Sequence, residues 1–152
     1  MKRKTIAIIF IIILLVGACA ALRIAVRPSL KGYQSEFDFS LEGLKVKVEK
    51  YYHDKAFRDP CAVYAVRITG LKENTVFDPA IMDEGLSDTV RAVVSHANTA
   101  AANEGKETVI DIADENVCRS TVLKSSIENS REKLNIVYDP SEELYYVIWQ
   151  SW

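Results

Sequence analysis

The chain is poor in the residues that build disulfide scaffolds and catalytic centres. Its 152 residues include only three cysteines, two histidines and four prolines. Three cysteines are too few for a disulfide-rich fold. A segment of about 120 residues does not need such a fold, because it can bury an ordinary hydrophobic core.

Local motifs for nucleotide binding, hydrolysis and metal coordination are also missing. The sequence contains no GxGxxG, GxxxxGK[ST], GxSxG, HExxH or CxxC pattern. Its acidic DIADEN stretch lacks the alternating ligands and central glycine of a calcium loop. The sequence therefore predicts no cofactor and no metal site.

Basic charge is scarce outside the N-terminus. Residues 33–152 hold 13 basic and 21 acidic residues, a net charge of −8. Nucleic-acid binding requires a basic surface, so we expect no nucleic-acid partner. An acidic domain is compatible with a basic partner but is more often simply soluble.

One long hydrophobic run stands out against this background. Residues 5–22 carry no charge and follow the basic segment Lys2-Arg3-Lys4. As a helix they would span roughly 27 Å, close to the hydrocarbon thickness of a bilayer. The run exceeds the usual length of a signal-peptide core and has no polar face for a protein surface. We therefore predict that residues 5–22 contact the membrane.

Three fates of this run stay open. The sequence Val16-Gly17-Ala18-Cys19 resembles a bacterial lipobox, which makes Cys19 a candidate for lipidation, and Ala18-Cys19-Ala20 fits a signal peptidase site. The third fate is an uncleaved transmembrane anchor. The sequence after Cys19, AALRIAV, is still apolar rather than a polar tether, which favours the anchor.

The flanking charges define a domain plan. Three basic residues lie on each side of the run, so the count alone does not set the orientation. The short N-terminal tail favours a cytoplasmic N-terminus and a single-pass protein in the cell membrane. We predict an anchor or signal segment at 1–26, a linker at 27–32 and an extracytoplasmic domain at 33–152.

The first half of the domain predicts a hairpin followed by an inner strand. Residues 33–41 and 44–48 alternate in polarity on either side of a Glu42-Gly43 turn signal. Residues 53–60 are polar and end in Asp-Pro, which predicts a loop. Residues 61–68 are mostly apolar, as is typical of a strand inside a sheet.

A helix is predicted after this strand. Residues 79–104 contain apolar side chains with a 3.6-residue period. Ser87 is the candidate N-cap within this segment, and Gly105 is the candidate stop.

The remaining segments predict mainly strands. Residues 108–112 suggest a short strand, whereas 115–130 fit either a helix or a strand. Two apolar segments, 134–138 and 144–150, flank a DPSEE turn and predict a second hairpin. The predicted class is α+β: an antiparallel sheet of two hairpins and an inner strand, with one or two helices on a face, preceded by an N-terminal hydrophobic helix.

Aromatic residues near strand ends form the candidate binding patch. Tyrosine and tryptophan bury large areas with few rotatable bonds, so they are favoured contact residues. The alternative is that they pack in the core. The candidate residues are Tyr51, Tyr52, Tyr145, Trp149 and Trp152.

Few residues are candidates for catalysis. His53, with Asp54 or Asp59, could form a base and an orienting carboxylate, although an exposed polar loop is the favoured interpretation. His96 lies beside the apolar stripe of the predicted helix and is expected to pack there. Cys61 has no local signature of a nucleophile.

The two cysteines of the domain allow two interpretations. Outside the cytoplasm, Cys61 and Cys118 could form a disulfide. The alternative is two separate small residues in the core.

These observations favour a membrane-tethered extracytoplasmic binding domain without catalysis, such as an inhibitor, an immunity-like factor or an accessory protein. Its partners would be the membrane, through residues 5–22, and a protein. One alternative is a small hydrolase or transferase that uses His53 with Asp54 or Asp59. The other is an assembly or structural component of a surface complex that uses the edge of the predicted C-terminal hairpin.

Overall fold

A six-stranded antiparallel sheet with one helix is formed by residues 30–54 and 60–151, the residues that the computed structural model describes. The coarse α+β prediction is confirmed. The predicted N-terminal hydrophobic helix lies outside these residues. The elements are β1 (Lys45–His53), β2 (Cys61–Thr69), β3 (Asp83–Glu84), α1 (Asp88–Asn103), β4 (Arg119–Lys124), β5 (Lys133–Asp139), β6 (Leu144–Gln150) and two 3₁₀ turns, Leu30–Tyr33 and Pro79–Ile81.

The strands follow the order β1-β2-β6-β5-β4-β3, and each is antiparallel to its neighbours. The C-terminal hairpin of β5 and β6 therefore lies in the middle of the sheet. Strand β2 lies between β1 and β6, which confirms the predicted inner strand. Within the described residues, no helix is long and apolar enough to cross a membrane.

Both faces of the sheet are covered. Side chains alternate between the faces along a strand, so β2 and β6 contribute to two separate cores. On one face α1 packs its buried stripe of Val90, Val93, Ala97 and Ala101 against Cys61, Val63, Ala65, Tyr146 and Ile148. We call this side the helix face and the other side the second face.

Irregular chain covers the second face. The segment 30–44 contributes the buried Leu30, Phe37 and Phe39, and the β2–β3 connection contributes Phe77. The Phe77 ring meets the Phe39 and Tyr145 rings at 5.7 and 5.9 Å between centroids. This second core explains why β2 and β6 are apolar at nearly every position.

The predicted strand at 33–41 is wrong. The segment forms turns, with hydrogen bonds from Phe37 N to Tyr33 O and from Phe39 N to Gln34 O. Asp38 has a positive φ of 49°, which interrupts extended backbone. Phe37 and Phe39 are buried and Tyr33 is half-buried, but they belong to a coiled segment that lies over the sheet rather than within it.

Helix α1 begins and ends at the predicted signals. The Ser87 hydroxyl accepts a hydrogen bond from Val90 N, and Gly105 follows the helix with φ +69°. Gly105 N donates to Ala102 O and Lys106 N donates to Ala101 O, which completes a Schellman motif. The helix starts at Asp88 and not at residue 79, because Ser87 is extended as an N-cap must be.

The predicted strand at 108–112 is also wrong. Asn98 of α1 takes over the backbone groups of this segment: its Oδ1 accepts from Val109 N and Ile110 N, and its Nδ2 donates to Ile110 O at 2.9 Å. These groups are therefore not free for a strand partner. In the undecided segment 115–130, residues Arg119–Lys124 form β4.

Candidate functional site

The candidate aromatic patch is not assembled on one surface. Tyr52 and Tyr145 are core residues, and the Tyr145 hydroxyl donates to Phe77 O at 2.9 Å. Trp149 is half-buried and donates to Glu132 Oε2, whereas Tyr51 is 43% exposed. Trp152 lies outside the described residues. Tyr51 and Tyr52 diverge because neighbouring strand residues point to opposite faces.

Tyr51 instead ends a row of aromatic rings on the second face. Its ring lies 4.8 Å from that of Tyr64, which meets Tyr33 at 5.9 Å, and Tyr33 stacks with Trp149 at 6.3 Å. Burial raises the pKa of Tyr64 well above its usual value. The row stabilises the second core and leaves only one exposed ring.

The two cysteines are buried but far apart, so the proposed disulfide is not formed. Cys61 pairs with Gln150, the last residue of β6. Cys118 precedes Arg119, which pairs with Tyr138, and Tyr138 pairs with Tyr145 near the opposite end of β6. Three strand spacings also separate β2 from β4. A disulfide requires Cα atoms within about 7 Å.

The candidate pair of His53 and Asp54 is likewise divided. His53 is exposed beside the Tyr51 ring, whereas Asp54 is 8% exposed. Asp59 lies outside the described residues. Asp54 instead lies near a different histidine and a thiol.

Asp54, Cys61 and His96 form a cluster at the end of the helix face. One ligand-type atom from each residue lies within 4.8 Å of the other two. Asp54 follows β1 and Cys61 opens β2, and the two are held together by a hydrogen bond from Asp54 N to Cys61 O at 2.9 Å. His96, from the middle of α1, is half-buried.

Two side chains near this cluster carry polar atoms that have no partner among the described residues. Gln150 is fully buried, and within the described residues neither its Nε2 nor its Oε1 has a hydrogen-bond partner; the same holds for the buried Tyr52 hydroxyl. Gln150 faces Cys61 directly across the β2–β6 ladder, so both side chains lie on the helix face. Each buried polar group without a hydrogen bond costs about 1–3 kcal/mol of stability. Several such groups in one place therefore require an explanation.

The electrostatics of the cluster do not favour a free nucleophile. Burial, followed by the charge of Asp54, raises the pKa of the Cys61 thiol to about 11. Burial and Asp54 also raise the pKa of Tyr52 to about 12. A reactive cysteine needs a lowered pKa and solvent access, and Cys61 has neither.

The sequence did not predict that His96 lies in this cluster. The three residues come from two strand ends and a helix, and no local motif contains them. The only feature of the sequence that could have indicated the cluster is the short connection between β1 and β2, which brings Asp54 close to Cys61. The position of His96 next to the apolar stripe was predicted, but the groups it would meet depend on where α1 crosses the sheet.

A groove lies on the same face of the sheet. It consists of two cavities of about 330 and 370 Å³ that share Lys50. The first lies between β1, β2 and residues 107–109, and the second lies between β1, β2, residues 111–113 and residues 139–146. We call it the β1 groove. Its lining includes two cations, Lys50 and Arg67, and five carboxylates: Glu49, Glu107, Asp111, Asp139 and Glu142.

Comparisons of the chain with protein-family models, curated proteins and solved structures found no match.

Proposed function

We propose that the chain is a membrane-tethered binding protein whose domain holds a basic segment of a partner protein in the β1 groove. The charge of this groove carries the proposal. Its carboxylates outnumber its cations by five to two. The tether itself rests on the hydrophobic run at residues 5–22.

One of the two cations of the groove, Arg67, is engaged within the protein. Arg67 lies 3.4 Å from Glu49 Oε1 and donates to Glu142 O at 2.6 Å. Glu107 and Asp111 are exposed. A lysine- or arginine-rich segment would complement these carboxylates, and complementary charge supports both the rate and the specificity of association.

The apolar floor of the groove gives a second contact. Val63, Ala65 and Tyr52 line one cavity, and Leu144 and Tyr146 line the other. Mixed apolar and polar lining is usual at binding sites. The expected partner segment therefore combines basic and apolar residues.

A peptide titration tests this proposal. Full-length protein in detergent is titrated into fluorescent peptides of equal length, one with lysine and leucine and one with glutamate and leucine. Glu107→Gln with Asp111→Asn should weaken binding of the basic peptide about two- to tenfold, as two exposed charge contacts predict. The matched control, Glu73→Gln with Glu128→Gln, changes two exposed carboxylates outside the groove and should leave binding unchanged.

The native partner is tested by site-specific photocrosslinking in membranes. A crosslinker at exposed Thr108 lines the groove, whereas one at Ile127, 60% exposed, lies away from it. A conjugate from Thr108 that disappears in the Glu107→Gln, Asp111→Asn background supports the proposal. Equal conjugates from both positions, or basic-peptide binding that ignores the groove substitutions, would overturn it.

A further inference from the structure

We propose that Asp54, Cys61 and His96 bind a divalent transition-metal ion of the zinc type. The three residues supply one carboxylate oxygen, one sulfur and one imidazole nitrogen, all within 4.8 Å of one another. Ligand atoms around a tetrahedral zinc ion lie roughly 3.3–3.8 Å apart, given its bond lengths. Contraction by about 1 Å, within reach of side-chain rotation, would bring the three atoms to this spacing.

The ligands come from well-fixed backbone. Asp54 and Cys61 are joined by their backbone hydrogen bond at the closed end of β1 and β2. His96 lies one position before Ala97, which is fully buried against the sheet. A site built from two strand ends and a helix would lock α1 onto the sheet, which is a common role for a structural metal ion.

The unpartnered atoms near the cluster are the second observation. Gln150 is 0% exposed, both atoms of its amide lack a hydrogen bond to any residue that the structure describes, and it stands opposite Cys61 in the ladder. With three protein ligands, a tetrahedral ion keeps a fourth position for water or another ligand. A metal-bound water there would give the Gln150 amide the hydrogen-bond partner that it lacks.

The donor types select the class of metal. Calcium and magnesium prefer shells made of oxygen atoms, whereas a thiolate and an imidazole suit zinc and its neighbours in the first transition row. Binding forms a metal–sulfur bond and releases the Cys61 thiol proton to solvent. The charges of the Asp54 carboxylate and the Cys61 thiolate then balance the two positive charges of the ion, so the buried site is neutral.

Cobalt(II) is the spectroscopic probe for this site. The full-length chain in detergent is stripped with a chelator and titrated with Co²⁺. We expect one ion per chain, a thiolate-to-cobalt charge-transfer band, visible bands of tetrahedral intensity, and displacement of both by Zn²⁺. The absence of a charge-transfer band in folded protein would overturn the proposal.

Variants assign the ligands. Cys61→Ser should abolish the charge-transfer band, while His96→Gln and Asp54→Asn should each weaken Co²⁺ binding at least tenfold. The matched controls are the buried Cys118→Ser, the exposed His53→Gln, and Cys19→Ser, all of which should retain the full spectrum.

Circular dichroism of each stripped variant checks that loss of binding is not loss of fold. His96 is half-buried, so His96→Gln keeps the proposal testable even where Cys61→Ser unfolds. A folded His96→Gln variant with unchanged Co²⁺ affinity, or loss of the band in Cys118→Ser or Cys19→Ser, would refute the assignment.

Discussion

At the scale of single residues, a pair of carboxyl groups links the segment 30–44 to the sheet. Glu36 lies beside Glu132, and a hydrogen bond between the two raises the pKa of Glu36, with burial adding to the effect. The neighbouring Ser126 ties down the same segment, because its N and Oγ both donate to Glu36 O. A protonated Glu36 is therefore the form that suits the folded state.

The pH dependence of stability follows from this shift. A carboxyl whose pKa is raised by folding stabilises the protein below its ordinary value of 4.5, and this contribution is lost as the pH rises through the raised pKa. As the pH rises above 4.5, the free energy of unfolding should fall less in Glu36→Gln than in the wild type, because glutamine imitates the protonated acid. Denaturant midpoints across a pH series measure this difference. Parallel profiles would contradict the assignment.

The spatial neighbours of Cys61 and His96 could not be predicted from the sequence around either residue. The burial of Cys61 was predicted from its apolar strand. Its neighbours depend on the hairpin closure at Asp54 and on the crossing of α1, both of which are long-range features. The same applies to Tyr145, whose burial follows from the second core and not from its own strand.

At the scale of elements, the segment 106–113 depends on Asn98. Asn98 makes three hydrogen bonds to the backbone of Val109 and Ile110. Asn98→Ala should lower the free energy of unfolding by about 1–3 kcal/mol, because it leaves these backbone groups unsatisfied. Asn103→Ala, at the exposed last residue of the same helix, is the control.

Hydrogen exchange distinguishes a local from a global effect of this substitution. The amides of Val109 and Ile110 should lose protection in Asn98→Ala more than those of β2 and β6. Because the segment lines the β1 groove, basic-peptide binding should weaken as well. Retained protection at Val109 would show that other contacts hold the segment.

The elements that the sequence predicted correctly are those with local signals. Strand β2 is a continuous apolar segment, helix α1 has a periodic apolar pattern and a cap, and the β5–β6 hairpin has two apolar segments around a turn. The segments 33–41 and 108–112 were predicted wrongly because apolar residues suggest strands, while their backbone hydrogen bonds go to turns and to Asn98. The sequence of a short apolar segment does not indicate which groups will form hydrogen bonds with its backbone.

At the scale of the whole molecule, the strand order limits one alternative function. The β5–β6 hairpin has a neighbouring strand on each side, so assembly through its edge is not available in this fold. The long outer strand β1 carries Lys45, Lys47 and Lys50 and an irregularity between Val48 and Lys50. Lysines and bulges are devices that prevent edge-to-edge pairing.

The state of the N-terminus is a prediction for the full chain. An uncleaved anchor gives the complete mass on protein purified from native membranes, and this is the expected result. A diacylated chain that begins at Cys19 or a chain cut after Ala20 would give two other masses. Either of these would replace the anchor by a lipid attachment or by a released domain.

Leu30 is 2% exposed and belongs to the packed core. If residues 5–22 span the bilayer, only seven residues separate Leu22 from this core. A chain of that length reaches about 25 Å even when fully extended. The domain would then be confined to the membrane surface, and any partner would have to meet it within the layer of solvent next to the lipid headgroups.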